Sequence, residues 1–205
     1  MEKRLNLIER VVGLLIEPHK TLKYIGENPD LLGPVIIIFL VNLFAIPIQE
    51  YSQDLLERLQ VPASRSLMFT AQIFAGYLGW LIIGAIYLAI TRVLGGTANF
   101  RQLLALSGYI QFIALLGIMV KTPVLAITGN LITFSPAIFL EVQERIYTPL
   151  GAMLERFDLL NLYSLFLLGL GFIKIARLSL KKTIILMGFF WIWGTIFSVL
   201  GAMFL

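Results

Sequence analysis

Five apolar stretches stand out along the chain, at 31–48, 67–91, 103–120, 159–175 and 183–205. Crossing a hydrocarbon core of about 30 Å takes roughly 20 mostly apolar residues as an α-helix. Each stretch approaches or meets that length. None alternates polar and apolar residues, so a strand-built barrel is not the fold this pattern describes. The pattern predicts an all-α, polytopic transmembrane helix bundle with five spans.

A sixth apolar stretch, 124–140, contains Thr128, Gly129, Asn130, Thr133, Ser135 and Pro136. It reads as a sixth span, a re-entrant segment or a continuation of the third span. Positive charge arbitrates, because cytoplasmic loops carry an excess of Lys and Arg. Five spans put Lys3, Arg4, Arg10, Lys20, Lys23, Arg92, Arg101, Lys174, Arg177, Lys181 and Lys182 on one side. Arg58, Arg65, Lys121, Arg145 and Arg156 fall on the other. A sixth span erodes that bias. The five-span reading therefore places the N-terminus in the cytoplasm and the C-terminus outside. Its basic cytoplasmic face suits anionic lipid headgroups.

The polar positions before the first span have a period of their own. Leu5, Ile8, Val12 and Leu15 recur at helical spacing, with Lys3, Asn6, Arg10 and Glu17 off that stripe. Pro18 ends this helix and opens another, where Leu22 and Ile25 lie beside Lys20 and Lys23. Residues 1–30 thus read as a cytoplasmic pair of amphipathic interfacial helices, and 31–205 as the five-span domain. The early apolar run 11–16 is too short for a signal peptide. Outside, Leu55, Leu56 and Leu59 suggest a short amphipathic helix ended by Pro62.

Composition agrees with lipid as the solvent: 59% of the 205 residues are hydrophobic and 14% charged, against about 25% charged in soluble domains. With no cysteine and one histidine, His19, a thiolate metal site is excluded and an imidazole-based one is improbable. No HExxH, GxSxG or phosphate-cradling loop occurs. We expect no catalytic residue, cofactor or metal, and no nucleic-acid partner. An outer set of acids, Glu50, Asp54, Glu57, Glu141 and Glu144, reads as a solvated face rather than a cation site.

Inside the spans the polar residues are Asn42, Gln72, Gln111 and Asn161, with Lys174 near a span end where it can snorkel. The amides suit interhelical hydrogen bonds or the lining of a solute path. Two small-residue stripes, Ala71–Ala75–Gly79 and Gly194–Ser198–Ala202, suit close helix packing within the chain and leave homo-oligomerisation open. Trp80, Trp191 and Trp193 fall well inside spans, which suggests packing between helices.

Several short motifs occur in order. Asp30, Gly33 and Pro34 belong to a D-L-x-G-P sequence at the entrance of the first span. Gly95 and Gly96 precede the third span, which contains Gly108 and Tyr109, and Asp158 opens the fourth. This set resembles the Yip-one family of Ypt/Rab-interacting membrane proteins. The resemblance implies a five-span fold and an adaptor-like role, with eukaryotic members implicated in vesicle traffic. Only about thirty residues precede the first span here, which resembles the short prokaryotic type and implies a prokaryotic inner membrane. The expectation is a non-enzymatic scaffold that organises membrane or recruits an unidentified membrane or cytoplasmic partner. A transporter or permease-like subunit for a small solute is the alternative.

Overall fold

A computed structural model describes residues 5–58, 65–129, 132–141, 144–145 and 148–203. Among them are eight α-helices, one 3-10 turn and no strand. The helices are α1 (Leu7–Ile16), α2 (Pro18–Glu27), α3 (Leu32–Arg58), α4 (Arg65–Val93), α5 (Phe100–Thr128), α6 (Pro149–Glu155), α7 (Leu159–Lys174) and α8 (Leu180–Met203). The fold is a polytopic helical bundle. Three helices, α4, α5 and α8, are long and apolar enough to cross a membrane alone. The count reaches five when each bent pair is one span: α2 with α3 across 120°, and α6 with α7 across 53°.

α5 is the central element and packs against α2, α3, α4 and α7. Its half nearer α2 is solid: Leu103, Ala105, Leu106, Tyr109 and Ile113 are fully buried with Leu167 and Phe172 of α7. By contrast, α4 and α8 turn most of their apolar surface outwards. That would be costly in water and is the expected arrangement against lipid tails.

Local chemistry sets where the helices start. Asn6 and Glu9 form a reciprocal capping box on α1, and Asn99 and Gln102 do the same on α5. Pro18 occupies the first turn of α2, where its missing N–H costs nothing. Asp158 caps α7, accepting from the Leu160 and Asn161 amides at 2.9 and 3.3 Å. α5 continues through Pro123 to a left-handed cap at Gly129, and Pro136–Phe139 is a 3-10 turn. Of the 124–140 stretch, 124–128 therefore extend the helix and 136–139 form a turn that buries Ala137 and exposes Ile138 and Phe139, while 130 and 131 lie outside the described residues. α3 likewise runs unbroken to Arg58, so residues 55–58 prolong this helix instead of forming a separate outer one; Leu59 and Pro62 lie outside the described residues.

The N-terminal helices are built into the bundle. Leu14, Leu22 and Ile25 are fully buried members of the main core. The stripe expected of α2, Leu22 and Ile25, is thus turned inwards. Of the predicted first stripe, Ile8, Val12 and Leu15 are turned out and Leu5 is half-buried; Ile16, outside that stripe, is exposed beside them. α1 is apolar on two faces, one docked and one unpartnered.

Candidate functional site

The motif residues at the α1–α2 end meet in three dimensions. Asp30, just before α3, accepts from the Tyr109 hydroxyl of α5 at 2.7 Å and from the Gly33 amide at 3.1 Å, and forms an ion pair with Arg10 of α1. Arg10 also donates to the Leu5 and Asn28 carbonyls, at 3.1 Å each, and lies over the Tyr24 and Tyr109 rings. The carboxylate thereby caps α3 while neutralising a largely buried guanidinium. Beside it the packing tolerates no side chain. A Cβ at Gly33 would overlap the Tyr109 hydroxyl, and one at Gly108 would overlap the Pro34 ring. The D-L-x-G-P sequence is one half of a joint whose other half is Gly108–Tyr109.

The remaining loops close over this joint. Gly95 adopts φ +77° and Gly96 sits so tightly that a Cβ would lie 2.7 Å from the Ala176 carbonyl. The Thr97 amide donates to that carbonyl at 3.0 Å, and Lys182 donates to Leu94 O at 2.7 Å. Gln102 of α5 donates to Gly26 O at 2.8 Å, tying α2 to the same end. The result is a cap of α1, α2 and two interlocked turns. In its surface lies a groove of about 740 Å³ lined by Lys23, Glu27, Thr97, Gln102, Lys174 and Arg177. Lys23 pairs with Glu27 at 3.8 Å; Lys174 and Arg177 have no ion-pair partner among the described residues.

The model of the Yip1 domain matches residues 12–202. The chain belongs to the Yip1 domain family. It is also similar to membrane protein YknW of Bacillus subtilis (strain 168), 25% identical over 213 residues that cover 93% of this chain and 92% of YknW. No solved structure matches it. In this Yip1 domain the matched stretch begins within α1, so the docked N-terminal helices are largely inside it.

At the opposite end, Asp158 is 4% exposed and holds three elements together. Besides capping α7, it accepts from the Phe134 amide at 3.3 Å and pairs with Lys121 of α5 at 3.4 Å. Nearby, buried Arg145 pairs with Glu155 at 3.4 Å, and Glu155 also accepts from Thr133 at 2.8 Å.

The four intramembrane amides of this Yip1 domain do not gather. Gln111 and Asn161 both line a cavity of about 310 Å³ between α4, α5, α7 and α8. Asn42 instead donates to Ile38 O at 2.8 Å and packs on Gly76, and Gln72 lies elsewhere on α4. The two small-residue stripes differ from each other. Ala71 and Ala75 are exposed and nothing lies within 4 Å of a Cβ at Gly79, so this face packs on no described helix. Gly194 receives the Arg156 guanidinium, Ser198 bonds back to the Gly194 carbonyl at 2.9 Å, and Ala202 is buried. Trp80 and Trp191 pack inwards, donating to Leu104 O and Arg156 O. Trp193 is 52% exposed and stacks on Phe189 of its own helix. The side chains of Glu50, Asp54 and Glu57 lie outside the described residues.

The Arg156 guanidinium was not singled out by its sequence context. Arg156 stands between Glu155 and Asp158, and a local reading pairs it with one of them. Only the tertiary fold assigns those carboxylates to Arg145 and Lys121.

Proposed function

We propose that this protein is a non-enzymatic membrane scaffold, working from a cytoplasmic cap at the α1–α2 end. The observation that carries the reading is that the cap is fixed to the bundle and presents two outward surfaces, an apolar stripe and a groove bearing cations. The outward stripe Ile8–Val12–Leu15–Ile16 suits the headgroup–acyl boundary of the leaflet. The groove with Lys23, Lys174 and Arg177 suits an acidic segment of a protein partner. A cap held by Asp30, Tyr109 and Gln102 presents both without the ordering cost of a flexible arm. The positive-inside distribution supports its cytoplasmic orientation, and the prokaryotic relative supports a cell-membrane location.

A photo-crosslinking residue at Lys23 or Arg177 in native membranes tests the proposal. A discrete protein adduct is expected, lost when Lys174 and Arg177 are both changed to Glu. No adduct, together with solute movement by the purified protein in liposomes, would reject it. The transporter alternative draws support from the Gln111–Asn161 cavity, but Asn42 and Gln72 do not join that cavity and the inner half of α5 is packed solid.

A further inference from the structure

The cavity at the other end of the bundle contains a cation with no counter-charge among the described residues. Arg156, in the turn between α6 and α7, lines it with Gln111, Asn161 and Trp191. Its Nε is buried and has no hydrogen-bond partner among the described residues. The carboxylates beside it in sequence are both engaged: Glu155 by Arg145 and Thr133, Asp158 by Lys121 and the α7 amides. Neither the Gln111 nor the Asn161 side chain has a hydrogen-bond partner among the described residues. Arg156 is held where it is. Its carbonyl accepts from Trp191 Nε1 at 3.4 Å, and its guanidinium rests on α8 at Gly194, where any side chain would collide with it.

An unpaired guanidinium beside apolar helices is costly unless it finds an anion or water. Arginine presents a planar fork of donors that matches phosphate and carboxylate oxygens. The wall continuing from it is apolar, with Ile110, Leu165 and Leu168. At about 310 Å³ the cavity is at the small end of the ligand-site range of roughly 300–1,000 Å³. It is too small to enclose a two-chain phospholipid. We propose that it is a binding site for an amphiphilic oxyanion: a phosphate or carboxylate head on Arg156 with Gln111 and Asn161, and an apolar chain along α5 and α7. The ligand is either a free single-chain amphiphile or the head and first chain segment of a lipid from the adjoining leaflet. This site stands apart from the cap and does not depend on the scaffold reading.

The test is equilibrium binding of radiolabelled dodecyl phosphate to the full chain in an uncharged maltoside detergent. Saturable binding is expected, weakened at least tenfold by Arg156→Gln, severalfold by Asn161→Leu, and unchanged by Lys181→Gln at the exposed far end of α8. Displacement of the label by phosphatidylglycerol would identify the lipid as a source; displacement by oleate but not by phosphatidylglycerol would identify a free amphiphile. No saturable binding, or equal affinity in wild type and Arg156→Gln, would overturn the proposal. Inorganic phosphate competing as well as dodecyl phosphate would overturn the amphiphile assignment. If Arg156→Gln is not monodisperse, Asn161→Leu keeps the charge and decides the matter: unchanged affinity there would also overturn it.

Discussion

The Tyr109 hydroxyl donates to the Asp30 carboxylate at 2.7 Å across a sequence separation of 79 residues. The bond ties the central helix to the entrance of α3, and through Arg10 it recruits α1 as well. Three elements distant in sequence thus share one carboxylate. Removing it exposes more than one deficit. Asp30→Ala strips the partner from Arg10, whose side chain is only 10% exposed, and uncaps α3. A loss of about 2–3 kcal/mol is expected, against about 1 kcal/mol for Tyr109→Phe. Unfolding by SDS titration, followed by tryptophan fluorescence, gives both values. The double variant should fall short of their sum, since the residues share a network.

The glycines separate into two classes. Gly33→Ala and Gly108→Ala drive a methyl into the Tyr109 hydroxyl and the Pro34 ring, and each should cost about 1–3 kcal/mol or prevent folding. Gly79→Ala and Gly188→Ala meet nothing within 4 Å. They should be neutral or stabilise by up to about 1 kcal/mol through helix propensity. Thermal midpoints of the four variants in one detergent check the contrast.

Asp158 should outweigh an ordinary cap. Asp158→Ala removes the α7 cap, the Lys121 partner and the acceptor for the Phe134 amide together. A loss of about 2–4 kcal/mol is expected, against about 1 kcal/mol for the more exposed cap of α5 in Asn99→Ala. Limited proteolysis should then cut first near 132–141, the segment Asp158 anchors.

Much of this was legible in the sequence, and the limits have physical causes. The long apolar stretches announce their helices because lipid requires every backbone group to be satisfied within the segment. Asp30 as a cap and Gly95–Gly96 as a turn follow from local chemistry. The pairing of Asp30 with Tyr109, or of Pro34 with Gly108, does not, because it depends on how α3 crosses α5. α1 shows a different limit. Its periodicity marks Leu5, Ile8, Val12 and Leu15 as its apolar stripe, yet the structure docks Val11 and Leu14 instead. Period alone does not say which face of an apolar helix docks. Arg156 was hidden for a third reason: a lone cation among carboxylates gains its meaning only when other cations have taken them.

The account rests on the cap and the Arg156 cavity lying on opposite faces of one membrane. The chain has no cysteine, so single cysteines at the exposed positions Lys20, Ser179, Phe139 and Leu150 report on one site each. With a membrane-impermeant maleimide, Phe139→Cys and Leu150→Cys should label in intact cells. Lys20→Cys and Ser179→Cys should label only in inverted vesicles. Labelling of all four from the same side, or of the cap positions in intact cells, would contradict the account.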